Sequence, residues 1–478
     1  MKASSLQETR AAPRGTSAVV WALSVLAMKT VATQVAPLLA SLYVASLVAK
    51  EAAMTFSSYS LVTSVNLTIF LAASGSLQAL YFVAGQALGR KDQSAYDAAI
   101  VAGLLLALAL GVGSMMLSFA IGAILRMLGM NSDVVALAPP QGAVAAIGII
   151  PALWMAVYRV HASLREKPGI VTLVYATGAA SAAIIATATT GLWPAVLGST
   201  AVRVLLSVSA SNWLMLLLAA LSLRAFPDLR PRPGTLTEVK AKLRAASAIV
   251  ASVGWPIGVV ILLDSLAPLI SSLIIGRYWT SAIPVHSIVL LWVSLCQVVP
   301  VGLGHAAVQR IAVLHSKGDV INRNRVAVVS LMLGAVFGVL VIAVFAAIPV
   351  QLGAVFLGKA AFAPEAQTLL RQLMLPGGIL LTIQGLIIIG AAILRGVGQT
   401  RAPLMQSFLG YCVIAAGSQF LLGPVLGHGV RGVWWGLLIG FGVTAVAVTR
   451  RCYSELRPNL ATPFSRQLTA LHSQERRT

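Results

Sequence analysis

One carboxylate stands alone in the most apolar part of this chain. The stretch GWPIGVVILLDSLAPLISSL, residues 254–273, carries a single ionisable side chain, Asp264. It lies within 32 residues, Ala245–Gly276, that hold no other charge. The other acids fall in terminal segments, in connections or at the ends of apolar runs. An ionised Asp at a bilayer centre costs about 2.5–3.5 kcal/mol on insertion scales, so it is expected to face a bundle interior or a water-filled cavity. Burial disfavours the charged form, which suits a carboxyl that takes up and releases a proton. Kept ionised, the same group would bind Na+ or a cationic ligand. The plainer alternative is a buried polar link to a neighbouring helix. Its partner would be Lys29 or Arg203, the two basic residues that fall inside apolar runs. Gly254 and Pro256 precede the acid and Pro268 follows it. Proline kinks a helix, and freed carbonyls are tolerated in a membrane where they line a cavity. Pro37 suggests the same bent shape in the first apolar run.

The elements that position this acid follow from composition. Of 478 residues, 58% are hydrophobic and only 10% charged. A soluble domain is roughly 25% charged, so the chain reads as a polytopic helical membrane protein. Apolar runs of spanning length fall near 19–48, 56–84, 97–125, 134–158, 169–191, 193–223, 246–276, 280–308, 326–350, 366–394, 402–424 and 430–449. The first is too long for the apolar core of a signal peptide and is read as a retained helix. The net charge of +21 comes from short basic clusters between these runs, so nucleic-acid binding is set aside. With twelve spans, 26 basic residues fall on the side of the termini and six on the other, with Lys29 and Arg203 inside helices. The excess marks the cytoplasmic side and puts both termini there. Cys296, Cys412 and Cys452 show neither disulfide nor metal-ligand spacing and read as small buried hydrophobes.

The two halves echo each other. APLLASL (36–42) matches APLISSL (267–273) at five of seven positions, 231 residues apart. SLREKPG (163–169) and ILRGVGQ (393–399) share Leu-Arg at an offset of 230, and VAGQALGRKD (83–92) and RIAVLHSKGD (310–319) occupy equivalent connections at 227. A repeat of six spans keeps the same topology, so the halves are parallel repeats about an axis along the membrane normal, with a site expected between them near the midplane.

With these residues in place, the chain resembles the multidrug and toxic compound extrusion (MATE) family of cation-coupled antiporters. The resemblance rests on Gly254, Pro256, Ile257 and Asp264 in the seventh span, and on His286, Pro300 and Arg310 in the eighth. Leu394-Arg395-Gly396 ends the tenth, VAGQALGR follows the second, and GVRGVWWGLLIG opens the twelfth. It covers about residues 19–450. The chain also departs from the family. Where many members carry an Asp late in the first span, this chain has SLYVASL (41–47), with Tyr43 or Val44 nearest. Where many carry an acid eleven residues before the Arg of the tenth span, it has Gln384. The resemblance therefore implies an acidic cluster reduced to Asp264, with Gln384 as its hydrogen-bonding neighbour or as a contact to substrate. Gln34, Tyr43, Asn66, Gln78, Trp292 and Gln297 are the remaining polar or aromatic candidates to line a cavity. Each also has an ordinary role in packing or helix bridging.

The expectation is an all-α polytopic membrane protein of two six-helix bundles related by a pseudo-two-fold axis. Its divisions are a tail (1–18), a first bundle (19–223), a linker (224–245), a second bundle (246–449) and a second tail (450–478). It would be a monomeric inner-membrane antiporter, without cofactor beyond a coupling H+ or Na+. It would export cationic or lipophilic small molecules among membrane lipids by alternating access. The competing reading is a flippase of the same superfamily for a lipid-linked or anionic substrate, using Lys29 and Arg203 as cavity cations. A membrane-embedded enzyme is excluded by the want of a His, Asp or Glu cluster at one depth, since His286 and His305 fall near opposite ends of one span.

Overall fold

The computed structural model describes residues 16–48, 53–127, 130, 132–192, 198–226, 236–357 and 364–456. Most of both expected tails and residues 227–235 of the linker lie outside them. Twelve helices are long and apolar enough to span a membrane: α1 (Val19–Val48), α2 (Met54–Gly89), α3 (Gln93–Phe119), α4 (Ser132–Leu164), α5 (Pro168–Thr190), α6 (Thr200–Ala225), α7 (Thr237–Tyr278), α8 (Ile283–Ser316), α9 (Val320–Ala347), α10 (Pro364–Gly396), α11 (Arg401–Val425) and α12 (Gly429–Leu456). A bilayer offers no water to the backbone, so helices that satisfy their own N–H and C=O groups are the natural way across.

The spans match the apolar runs, but several helices are longer than their runs. The extensions fall mainly at one end. α2 reaches Gly89, α4 Leu164, α8 Ser316 and α12 Leu456, while α7 starts at Thr237, inside the expected linker. This is the basic end, where odd helices begin and even helices finish. Hydropathy reports only the thickness of the hydrocarbon. Helix-forming Lys, Glu, Arg and Ala in TEVKAKLRAAS (237–247) carry α7 on into the polar layer.

The repeat is visible in how the helices pack. α1 lies on α5 and α8, and α7 lies on α11 and α2, which is the same arrangement moved on by six helices. Val19, Leu23 and Ala27 of α1 are buried in a core otherwise built from the second half. Val250, Val253 and Ile257 of α7 are buried in a core built mainly from the first. Each half thus lends the basic-end part of its first helix to the other, while Val44 and Val48 of α1 and Leu263, Ala267 and Ile275 of α7 stay buried with their own halves. Glycine permits the crossings. A Cβ at Gly75 on α2 would lie 2.5 Å from Ile261 Cδ1 and 3.4 Å from the Gly258 backbone on α7. A Cβ at Gly302 on α8 would lie 2.7 Å from Val31 Cγ2 and 3.1 Å from the Ala27 carbonyl on α1. Gly75 and Gly302 are 227 residues apart, the offset found for the equivalent connections.

Turn geometry fixes the register further. Lys91 (φ 61°) and Gly318 (φ 71°) hold the same left-handed turn. Asp92 and Asp319 follow, each accepting from a backbone N–H of the next helix, at 2.9 and 3.1 Å. The match at 230 is corrected. The left-handed residues ending α4 and α10 are Glu166 (φ 59°) and Gly398 (φ 84°), 232 apart, so the shared Leu-Arg pairs stand two residues out of structural register.

At the basic end the halves close on each other. A Cβ at Gly85 would meet Ala312 Cβ at 2.9 Å, and one at Gly398 would meet the Phe82 ring at 2.6 Å. Gln309 donates to the Ser163 carbonyl. Lys242 Nζ donates to Asp92 Oδ1 and Oδ2 at 3.0 and 2.8 Å and to Ser94 Oγ at 2.8 Å.

Two predictions follow from this packing. Gly432, Gly436 and Gly440 of α12 form a stripe against α11. A Cβ at Gly436 would lie 2.5 Å from the Ser418 carbonyl carbon and 2.6 Å from Gln419 Cα, whereas one at Gly442 meets nothing within 4 Å. Gly436→Ala should destabilise the purified protein by about 1–3 kcal/mol and Gly442→Ala should not, read as thermal unfolding in detergent. At Asp92, burial raises the carboxyl's pKa, but the Lys242 ammonium, the Ala95 N–H and the Ser94 hydroxyl outweigh it and hold it below the ordinary carboxylate range. The stability from this depressed group is present above about pH 4, its unfolded value, and is lost as pH falls through the folded value. Asn caps a helix as well as Asp, and the pair is half-exposed. Asp92→Asn should therefore cost under about 1 kcal/mol at pH 7, and the difference from the parent should vanish under acid titration.

Candidate functional site

Asp264 sits one turn beyond Ile261, where α7 crosses α2 at Gly75. The assignment of α7 as helix runs unbroken through Pro256 and Pro268. The side chain that acts on the carboxyl is on α11, where the Tyr411 hydroxyl lies beside it. No Lys or Arg pairs with Asp264 among the described residues. The buried link through Lys29 or Arg203 is thus not formed.

Tyr411 is 1% exposed and stacks on Phe441 of α12, with centroids 4.3 Å apart and planes 29° apart. Ser407 Oγ lies beside its hydroxyl. Two turns further on, Ser271 Oγ of α7 donates to Gln419 Oε1 of α11 at 2.7 Å. Between the two links α7 advances seven residues and α11 advances eight. The backbone supplies the difference, because Phe408–Ala415 is π-helical; a second π-helical segment, Leu421–Val425, follows the Gln419 link. A π-turn absorbs an extra residue, and such turns are frequent at functional sites. The glycine stripe of α12 gives the widened helix room. A Cβ at Gly440 would meet the Gly410 carbonyl at 2.5 Å.

The other candidates are more dispersed. Gln384 is 4% exposed on α10, and its Oε1 has no hydrogen-bond partner. α10 packs on α8, α9 and α12, and the partner the structure gives Asp264 is Tyr411. Gln34 is half-buried with Nε2 unpartnered. Tyr43 is exposed and its hydroxyl meets Thr187 Oγ1 on α5 at 2.8 Å. Asn66 Nδ2 donates to the Val62 carbonyl at 3.0 Å, leaving Oδ1 unpartnered. Gln78 sits at the irregular turn within α2, and Gln297 is half-buried on α8. Trp292 Nε1 donates to the Leu352 carbonyl, on the short helix after α9, at 3.1 Å. Lys29 is exposed on α1. Arg203 is buried near the start of α6 and donates to the Thr189 carbonyl at 3.3 Å and to Thr200 Oγ1 at 2.8 Å. It ties the end of α5 to α6 and does not stand at mid-span, as the sequence suggests. Tyr411 and Ser407 are absent from the expected set. A lone Tyr in an apolar run gives no signal, because the register shift that aims it at Asp264 is a property of the folded backbone.

Comparison with known proteins adds the family. The profile of the MatE family matches residues 256–421. A probable multidrug resistance protein NorM of Rhizobium meliloti (strain 1021) is 28% identical over 408 residues, 84% of this chain and 86% of that one. A protein of the same description from Agrobacterium fabrum is 27% identical over 391 residues, covering 80% and 82%. Among solved structures, an outward-facing multidrug resistance MATE transporter superposes with a TM-score of 0.80 at 18% identity, over 92% of this chain and 96% of that one. A superfamily transporter from Pyrococcus furiosus, described as having a binding pocket of reverse polarity, gives 0.82 at 18% identity over 92% and 96%. This chain is similar to the MATE family over its length and shares its fold. It is a multi-pass membrane transporter with the twelve-helix, two-bundle MATE fold, and the family is one of transporters, not of enzymes. The flippase reading is not favoured by these relatives.

The Asp264–Tyr411 contact should be measurable as coupling. Tyr411→Phe removes the donor and should cost about 1–3 kcal/mol. In the Asp264→Asn background it should cost clearly less, giving an interaction energy of about 0.5–3 kcal/mol in a thermal-unfolding double-mutant cycle.

Proposed function

We propose that this protein exports cationic or lipophilic small molecules in exchange for H+ or Na+, with Asp264 binding the coupling ion in competition with substrate. The observation that carries the reading is the carboxyl itself. It is intramembrane, has no cationic partner among the described residues, and has the Tyr411 hydroxyl of a π-helical segment beside it. A carboxyl so held keeps its capacity to bind a cation, because no ammonium or guanidinium occupies it. Apolar surroundings with few polar groups suit a lipophilic cation.

The halves, 19–223 and 246–449, would rock about the glycine crossings of α1 on α8 and α7 on α2. By the positive-inside rule the closed basic end faces the cytoplasm, with both termini there, in a bacterial-type inner membrane. Asp264 would then be loaded from the outer side, and ion entry would displace substrate outward. A monomer contains every element this scheme uses. Gln384, with its unpartnered buried oxygen, would offer a further polar group to substrate.

Purified protein in everted vesicles, given ethidium and an imposed pH or Na+ gradient, tests the scheme. Gradient-driven accumulation should be present in the parent and reduced by at least about tenfold in Asp264→Asn, and the gradient that works names the ion. Full transport by Asp264→Asn would overturn the assignment.

A further inference from the structure

The closed basic end holds a second polar cluster that the transport scheme does not use. Tyr81 of α2 and His305 of α8 stack across the seam between the halves, with centroids 5.6 Å apart and planes 26° apart. Arg159 of α4 and Arg395 of α10 both lie near enough to act electrostatically on each of these rings, and Arg159 acts on Tyr175 of α5 as well. His305 is 5% exposed, Tyr81 1% and Arg395 9%. Tyr81 has Ser163 beside its hydroxyl.

No carboxylate balances the pair. Neither Arg159 nor Arg395 forms an ion pair among the described residues, and Glu166, the acid of this region, acts on Arg310. Arg159 Nε, Arg395 Nε and His305 Nδ1 are buried without a hydrogen-bond partner. Buried charges are normally paired, because an uncompensated one carries most of its desolvation cost. Here two cations from opposite halves face one seam with their Nε donors unused. Guanidinium groups match the oxygens of a tetrahedral oxyanion two at a time, and tyrosine hydroxyls supply neutral donors around it.

We propose that Arg159, Arg395, His305, Tyr81 and Tyr175 form an anion site for a phosphate group that bridges the two halves at the basic end. The first half supplies Tyr81, Arg159 and Tyr175; the second supplies His305 and Arg395. An anion between them turns repulsion across the seam into attraction from both sides. Opening of this end would part the two arginines and dismantle the site, so the anion binds one state of the transporter and favours it. By linkage, anything that opens the basic end weakens the anion. Only this conformational consequence rests on the transport scheme; the binding does not. The phosphate has two sources. It is either free in the aqueous phase or the head group of an anionic lipid reached at the depth where α4 and α10 end.

The test uses the full chain. In neutral detergent, thermal unfolding is followed as inorganic phosphate replaces chloride at constant ionic strength. In a second arm, with no added phosphate, nanodiscs of phosphatidylglycerol are compared with nanodiscs of phosphatidylcholine. Saturable stabilisation in the first arm identifies free phosphate, and stabilisation in the second alone identifies a lipid head group. In either case Arg159→Gln and Arg395→Gln should weaken half-saturation by roughly 10- to 100-fold, while Arg401→Gln, an exposed arginine at the same end, should leave it unchanged. Arg395→Lys keeps the charge but loses the fork, and serves if the Gln variant does not fold. Stabilisation in neither arm, or stabilisation that survives unchanged in the Arg159 and Arg395 variants, overturns the proposal.

Discussion

Everything in this molecule hangs on two helix crossings that only small residues allow. Between helices in lipid there is little hydrophobic drive, because hydrocarbon solvates an apolar face as well as another helix does. What remains is close contact, and contact of backbone on backbone requires the absence of a Cβ. Gly75 and Gly258 give that to α2 and α7; Gly302 gives it to α8 against α1. The two crossings are related by the repeat, so one solution is used twice. Their consequence is that the basic-end part of α1 is buried with the second half and that of α7 with the first, while the far ends of both helices stay with their own halves. A chain of two side-by-side bundles could separate into its halves; one whose first and seventh helices each reach into both is held together at the basic end.

The same logic of close approach places the acid. Asp264 lies a turn past the α7–α2 crossing, and α11 reaches it because the glycines of α12 let that helix widen. Each step depends on the one before. Gly440 admits the π-helical backbone and Gly436 the α-helical turn after it, the π-turn absorbs one residue, and the shifted register presents Tyr411 to Asp264 while Gln419 meets Ser271. A carboxyl in apolar surroundings needs a donor to be tolerated at all. A hydroxyl meets that need without neutralising the charge, as an arginine would.

How much of this was legible in the sequence follows from the range of the interactions involved. The twelve spans are readable because hydrocarbon thickness imposes a length on every one. The duplication is readable through the 227 offset, which returns as the equivalent turns at Lys91 and Gly318 and as the equivalent crossings at Gly75 and Gly302. The helix extensions at the basic end are not readable from hydropathy, which falls silent where the hydrocarbon stops. Arg203 looks like a mid-membrane cation because its apolar run extends upstream of the residue at which α6 begins. Once the helix starts at Thr200 the guanidinium becomes a cap for α5. Asp264 stands out by its chemistry. Tyr411, Arg159 and Arg395 do not, because their meaning comes from partners hundreds of residues away.

The two polar centres carry opposite charge at two depths, and that contrast bears on how a cation would travel. A lipophilic cation approaching Asp264 from the basic end would meet Arg159 and Arg395 first. Two unit charges 4 Å apart interact by about 1 kcal/mol in water and about 4 kcal/mol at an effective dielectric of 20, enough to hinder entry when the arginines stand bare. With a phosphate between them, the closed seam is both held together and shielded. When the seam parts, the arginines withdraw to opposite walls, with the distance between them increased and water around each. Without the anion, the arginines' repulsion of a cation is greatest where the seam is closed and smallest where it is open. With the anion bound, electrostatics acts instead by holding shut the steric gate built from Gly85, Ala312, Phe82 and Gly398, and that packing keeps the cation out.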